Sequence, residues 1–261
     1  MILVTGASGF VGSELMKTYS DMIAAPSLRG LSEYEIRRII EGSSADTIIH
    51  TAAISDIGVC AQNPEESYIA NVELPVRIAR AAGKRKLICF SSDQVYGGSS
   101  FEGPYTEDMA KPGNIYAEHK LEMENRVLDI LPSAVMLRAE WMYGYYQKKS
   151  NYLMNIVNAK DSIAFSPSQY RGITYIKEVA ESIERVIALP GGAYNFGSET
   201  DKSIYEITRD FLSLIGKKTA LLEVEPRHNL WMNCGKARAL GVDFPSVEDG
   251  LKRCAKDCGL I

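Results

Sequence analysis

The chain has 261 residues, 46% of them hydrophobic and 24% charged, enough to bury a substantial core as one large domain or one with a small appendage. Its formal net charge of −4 offers no concentrated positive surface, so a nucleic-acid backbone is not an expected partner. No apolar run approaches the roughly 20 residues that span a bilayer, and MILVTG reaches a glycine turn too early for a signal peptide, so a cytoplasmic protein without a membrane partner is expected.

In chain order, short β-rich runs alternate with helical segments: ILVTG, a helix from about Ser13, MIAA, a helix near 33 to 41, TIIHTAA, a helix near 65 to 82, and KLICFSS. This alternation predicts a parallel sheet with helices on both faces. Ser32 with Glu35 reads as a capping box, and Asn63-Pro64-Glu65-Glu66 as a cap, a first-turn proline and acids at the positive end of a helix. Gly83 is the stop of that helix, and the basic cluster GKRK at 83 to 86 places cations at the negative end of its dipole. A long helix is predicted from about Tyr116 to Leu131, halted by Pro132, with AVMLR following as another buried strand.

Residues 141 to 172, rich in Tyr, Asn, Ser and Lys, read as loop and short helices rather than sheet core. A helix near 176 to 188, the strand AYNFG and a helix capped by Ser203 and ended by Gly216 resume the α/β rhythm. LLEVE and SVEDGLKRCAKD read as parts of a C-terminal lobe. The expected fold class is therefore α/β: a Rossmann-type doubly wound parallel sheet over 1–140 and 172–197, with a smaller lobe from 141–171 and 198–261. Five cysteines (Cys60, Cys89, Cys234, Cys254, Cys258) are an odd number without metal spacing and read as reduced bystanders. His50, His119 and His228 are scattered, which supports neither a zinc site nor a Ser-His-Asp triad, and no metal is expected.

The first strand runs into TGASGFVG, with glycines at 6, 9 and 12, and then directly into a helix. Glycines there let the backbone turn tightly and approach a pyrophosphate, whose charge is favoured by free N–H groups at a helix start. No lysine follows the last glycine as a P-loop requires, which disfavours nucleotide triphosphate hydrolysis. An acid near residues 25 to 30 would grip the ribose 2′-hydroxyl of NAD, but AAPSLRG has none. Ser27 and Arg29 suit a 2′-phosphate instead, so NADP(H) is the preferred cofactor and NAD(H) the alternative.

KLICFSSDQVYGG places Ser91, Ser92 and Asp93 at the carboxyl end of the sheet, where open α/β folds bind ligands. In NIYAEHK, Tyr116 and Lys120 lie one turn apart on the next long helix and can converge with Ser92 on one cleft. A second Tyr-Lys pair, Tyr145 and Lys149 in GYYQKK, has no strand-end serine just upstream and is assigned to the surface. In carbonyl reduction the oxygen needs a proton, and a phenol of pKa near 10 is a poor donor at neutral pH. An ammonium about 4 to 6 Å away contributes roughly 1 to 4 kcal/mol toward phenolate, or about 1 to 3 pK units. Lys120 is accordingly expected to lower the Tyr116 pKa and to bond the nicotinamide ribose, with Ser92 holding the carbonyl oxygen.

Taken together, TGASGFVG, HTAA, the asparagine of IANV, FSSDQVYG, and Tyr116 with Lys120 after KPGN resemble the extended short-chain dehydrogenase/reductase superfamily. Within it, the short path from first to third strand, LRAEWMYG and the modest length are most similar to the dTDP-4-dehydrorhamnose reductase family and its sugar-nucleotide-binding relatives. The resemblance implies that Gly6, Ser8, Gly9, Phe10, Val11 and Gly12 form the pyrophosphate loop, that Ala52 and Ala53 lie beside the cofactor riboses, and that Asn71 is a structural active-site asparagine. It implies Ser92, Tyr116 and Lys120 as the catalytic triad, and Trp141 near the sugar. Arg171 resembles the arginine with which other extended members hold a substrate diphosphate. The smaller lobe becomes the substrate-binding lobe, the partner a nucleotide sugar, and the oligomer a homodimer.

Departures bear on the substrate: Ala117 replaces the usual glycine after the tyrosine, serine stands at 92 where the reductases commonly have threonine, and RGIT departs from the reductase pattern at 171 to 174. Gln94 stands where a dehydratase carries a catalytic glutamate, so 4,6-dehydration is not expected. Three readings stay open: an NAD(P)-dependent reductase of a nucleotide-linked 4-keto sugar; a sugar-nucleotide 4-epimerase or dehydrogenase, which SSDQVYG also fits; and a non-catalytic NADP-binding subunit resembling the regulatory β subunit of methionine adenosyltransferase.

Overall fold

A computed structural model describes residues 1–146, 150–226 and 228–261. Its ten strands are β1 (Ile2–Thr5), β2 (Ile23–Ala24), β3 (Thr47–His50), β4 (Lys86–Ser92), β5 (Val135–Ala139), β6 (Trp141–Tyr143), β7 (Ser162–Phe165), β8 (Ile173–Tyr175), β9 (Gly192–Phe196) and β10 (Ala220–Glu223). The helices are α1 (Phe10–Thr18), α2 (Glu33–Gly42), α3 (Ile57–Gln62), α4 (Pro64–Tyr68), α5 (Leu74–Ala82), α6 (Ile115–Ile130), α7 (Tyr152–Asn158), α8 (Ile176–Glu181), α9 (Ile183–Ile187), α10 (Ile204–Leu214), α11 (Gly235–Arg238) and α12 (Val247–Asp257). Among the described residues no helix is long and apolar enough to cross a membrane.

Six strands form one parallel sheet in the order β2-β1-β3-β4-β5-β9. Alternation along each strand supplies both faces. Val4, Ile49, Ile88 and Leu137 enter one apolar cluster with α1, α8 and α10, while Leu3, Ile48, Leu87 and Met136 enter another with α2, α5 and α6. This is the doubly wound α/β architecture the alternation predicts. The chain reverses direction across the sheet between β1 and β3, which opens a crevice at their carboxyl ends. Register then lines up Thr5 with His50, His50 with Cys89, and Ser92 with Ala139 along that edge.

Two parallel two-stranded sheets, β6 with β8 and β7 with β10, lie beyond this edge. They occupy part of the segment whose composition reads as loop, because short runs such as WMY and SIAF gain strand form by pairing with distant partners rather than from local propensity. The first apolar cluster continues without a break from Val4 and Leu137 through Tyr152 and Phe211 to Leu251 and Cys254 of α12. The end of the chain thus packs on the same core as the main sheet.

Helix boundaries follow their caps. Ser32 and Ser203 each form a capping box, with Glu35 and Glu206. Asn63 does not cap α4 with its side chain, which donates to the Val59 carbonyl oxygen instead, although Pro64 and two acids occupy the first turn as read from the sequence. The helix expected over 65 to 82 is interrupted by a π-helical turn at Ile69–Glu73, with Pro75 just beyond it lacking the amide N–H of a regular turn. Likewise the expected helix near 176 to 188 is two short helices, α8 and α9, separated at Ser182. All five cysteines are free thiols, and four of them are buried.

Candidate active site

At the β1–α1 junction, Gly6 adopts φ +73, a conformation that disfavours any side chain. A Cβ on Gly6 would lie 2.7 Å from the Ala52 amide nitrogen, and one on Gly12 would lie 2.2 Å from the Gly6 carbonyl oxygen. Both positions therefore require glycine for close backbone packing. Gly9 is the N-cap of α1 and supplies no side-chain cap, and the first turn holds no acid. The N–H groups of this turn remain available to an anion, which is the arrangement a diphosphate needs.

Beside the cradle, Thr51 donates to the carbonyl oxygens of Thr5 and Gly6, at 2.7 and 3.2 Å, tying the end of β3 to the glycine turn. Ala52 and Ala53 follow directly. Asn71, carried on the π-helical turn, accepts from the Ile54 amide at 3.1 Å and donates to the Ile54 carbonyl at 2.9 Å, so it clamps the segment that leaves β3. It also donates to Ser67 Oγ at 3.2 Å, and Ser67 meets His119 Nδ1 at 2.9 Å, linking this clamp to α6. Ser27 and Arg29 stand in the exposed turn after β2, where Arg29 donates to Glu66 at 3.3 Å. Such an exposed pair is worth little and yields readily to a better anion.

A cleft of about 800 Å³ joins the cradle to the carboxyl end of the sheet, and its walls include Phe10, Ser92, Asp93, Tyr116, Trp141 and Arg171. Asn114 caps α6 by accepting from the Ala117 amide at 2.9 Å, which sets Tyr116 in the first turn. Ser92 ends β4 and donates to Asp93 Oδ1 at 3.1 Å. The Ser92 side chain also hydrogen-bonds Tyr116, an interaction that favours the phenolate. Ser91 points the other way, donating at 2.5 Å to Glu124, which is paired with Arg138 at 2.7 Å inside the core.

Lys120 lies below the cleft, buried, with Nζ 5.8 Å from the Tyr116 ring centroid and donating to the Phe90 carbonyl oxygen at 2.8 Å. The expected lowering of the Tyr116 pKa does not appear. Burial is the largest influence and raises it, the Ser92 hydrogen bond lowers it, and the Asp93 charge raises it again. The reason is that the phenol itself is buried; Lys120 is desolvated too, its pKa lowered to about 8 by burial. The phenol thus stays protonated at neutral pH, the form that can give up a proton. His50 also borders this region, bonded to Thr5 Oγ1 at 2.7 Å, and burial together with the Lys120 charge lowers its pKa to about 3, so it is neutral.

On the opposite wall, Arg171 Nη2 donates to Asp93 at 2.6 Å, and its guanidinium carbon lies 5.1 Å from the centre of the Trp141 ring. Burial raises the Asp93 pKa and Arg171 opposes it. Glu140, which no sequence motif singles out, lines the same cleft. Its only signal is an acid closing the apolar run AVMLRA. Tyr145 is exposed, while its proposed companion Lys149 lies outside the described residues.

The family model described as RmlD substrate binding domain matches residues 1–233. Methionine adenosyltransferase 2 subunit beta of Xenopus laevis is 29% identical, over 92% of this chain and 82% of its own length. A dTDP-4-dehydrorhamnose reductase of Mycobacterium tuberculosis is 29% identical over 70% of this chain and 64% of its own. Among solved structures, a dTDP-4-dehydrorhamnose reductase of Bacillus anthracis in complex with NADP superimposes with a TM-score of 0.85, covering 98% of this chain and 97% of that one at 22% identity, a likeness of fold.

Proposed function

The chain belongs to the RmlD substrate binding domain family, and from that premise we propose that it is an NADP(H)-preferring reductase of a nucleotide-linked 4-keto sugar. The observation that carries this reading is the single cleft in which Ser92, Tyr116 and Arg171 face the Phe10 end of the glycine cradle. The cradle suits the cofactor, since α1 starts at Gly9 with no side-chain cap and no acid in its first turn, leaving that end to an anion. Gly6, Ser8, Gly9, Phe10, Val11 and Gly12 would hold its pyrophosphate, Ala52 and Ala53 its ribose edge, and Ser27 with Arg29 its 2′-phosphate. When bound, NADPH supplies the hydride.

This chain's own residues then manage the oxygen. Ser92 hydrogen-bonds the substrate carbonyl oxygen in place of Asp93, and Tyr116, protonated because it is buried, gives that oxygen its proton. Lys120 stabilises the resulting phenolate by charge, an interaction strengthened by the low dielectric around it. Asn71 fixes the segment after β3, and Asp93, Trp141 and Arg171 orient the sugar nucleotide. Residues 141–171 and 198–261 serve as the substrate-binding lobe.

A second reading is favoured by one observation: a methionine adenosyltransferase subunit beta aligns over 92% of this chain. On that reading the protein binds NADP and a partner without turnover. The test is purified protein with NADPH or NADH and a panel of 4-keto nucleotide sugars, followed at the nicotinamide absorbance with product identification. Stoichiometric oxidation giving the reduced sugar supports the reductase. Redox-neutral interconversion of C4 epimers when 4-hydroxy nucleotide sugars are supplied with NAD supports a 4-epimerase, and tight NADP binding without turnover on any sugar supports the regulatory reading.

A further inference from the structure

Glu140 is a buried acid that the catalytic scheme leaves without a task. It follows β5 directly, its backbone N–H donating to the Phe196 carbonyl oxygen at 3.2 Å, and it lines the cleft between Asp93 and Trp141. Its side chain is only 3% exposed as a residue. Thr174 donates to Oε2 at 3.0 Å, but Oε1 has no hydrogen-bond partner among the described residues.

The surrounding backbone is shaped around this carboxyl. A Cβ on Gly172 would lie 2.1 Å from Oε1, and one on Gly197 would lie 2.3 Å from Oε2. Two chain segments therefore need glycine to admit the group. Filling the space with an apolar side chain would be the ordinary solution for a core position, since an unsatisfied buried acceptor costs about 1 to 3 kcal/mol. Arg171, which lines the same cleft, carries at Nε a second buried polar atom with no partner among the described residues. The Arg171 charge acts on the Glu140 carboxyl, alongside those of Asp93 and Glu199, with burial the largest influence.

An unfilled donor and an unfilled carboxyl oxygen in one cleft match a group that can donate and accept at once. We infer that Glu140 Oε1 and Arg171 Nε form a subsite for one hydroxyl of the sugar, making Glu140 a specificity-determining residue. This rests on the nucleotide-sugar reading of the cleft. The hydroxyl accepts from Arg171 Nε and is held by Glu140 Oε1. A glutamine, which keeps the shape and a hydrogen-bonding terminus, retains the contact, whereas leucine removes it.

The experiment is a binding cycle by titration calorimetry, using NADP-loaded protein with dTDP-rhamnose, its monodeoxy analogues and dTDP, on wild type, Glu140→Gln and Glu140→Leu. Leucine should weaken dTDP-rhamnose about 10-fold, the scale of one lost hydrogen bond, and glutamine by less than about 3-fold. One deoxy analogue should bind wild type about 10-fold more weakly and erase the leucine penalty, while dTDP alone binds all three proteins equally. A penalty of the same size on every ligand, or none on any, overturns the inference, as does wild type that binds no sugar more tightly than dTDP. Should Glu140→Leu not fold, the wild-type series decides, because equal affinity across all deoxy positions also overturns it. Absence of NADPH turnover with the cycle intact removes the reductase reading alone, whereas turnover with a flat cycle removes this inference alone.

Discussion

Arg171 donates to Asp93 at 2.6 Å from a guanidinium that also lies over the Trp141 ring, and Asp93 in turn accepts the Ser92 hydroxyl. One cation therefore sets the orientation of the serine beside the phenol. Removing it in Arg171→Ala leaves a buried carboxylate uncompensated. We predict a loss of about 3 kcal/mol in urea-denaturation stability together with a fall in kcat/KM. Arg171→Lys keeps the charge but loses the planar fork, and should fall between the two. An alanine variant with an unchanged midpoint would show that the pair carries no such strain.

Lys120 links stability to pH with a definite sign. Burial lowers its folded-state pKa to about 8, below the value near 10.4 of an unfolded lysine. Between those two values the unfolded chain binds the extra proton, so stability should rise with pH from about 8 to about 10.4 and be least favoured below that window. Lys120→Met should raise the stability at pH 7 by about 1 to 2 kcal/mol, net of the orphaned Phe90 carbonyl, while abolishing turnover. Denaturation midpoints at pH 7 and pH 9.5 check this, and a methionine variant that keeps the alkaline rise would contradict it.

Gly12→Ala should fail as a cofactor site before it fails as a fold. The added carbon would sit 2.2 Å from the Gly6 carbonyl oxygen, forcing the cradle to shift. An NADPH affinity at least about 100-fold weaker is expected, since misplaced amides lose a charge-assisted contact with the pyrophosphate. Fluorescence titration with NADPH measures it, and affinity within about 3-fold of wild type would contradict the assignment of the loop.

Arg29 separates the two nicotinamide cofactors. Its partner Glu66 is exposed, so Arg29→Ala should leave stability within about 0.5 kcal/mol of wild type. NADPH should bind about 10-fold more weakly and NADH nearly unchanged, because only the former brings a 2′-phosphate. Equal weakening of both would defeat the preference.

How far these features can be read from the chain depends on whether their cause is local. The split of Leu3 and Val4, or Ile48 and Ile49, to opposite sheet faces follows from strand periodicity, and the glycine cradle from spacing and position. The π-helical turn at Ile69–Glu73 is hidden because the apolar pattern of IANVELPV reads straight through it. The direction of the Tyr116 shift is hidden for another reason: four-residue spacing to Lys120 gives proximity but not the burial that outweighs it. Glu140 reads as the first polar residue after a strand until Gly172 and Gly197, distant in sequence, close on its carboxyl.

The central claim is that Tyr116 supplies the proton in an NADPH-dependent reduction, and it is tested most directly by comparing wild type with Tyr116→Phe for NADPH oxidation by dTDP-4-dehydrorhamnose at saturating cofactor. Loss of a positioned general acid should lower kcat by about 100- to 10,000-fold, with NADPH affinity and folding preserved. A phenylalanine variant that turns over at the wild-type rate would contradict the account.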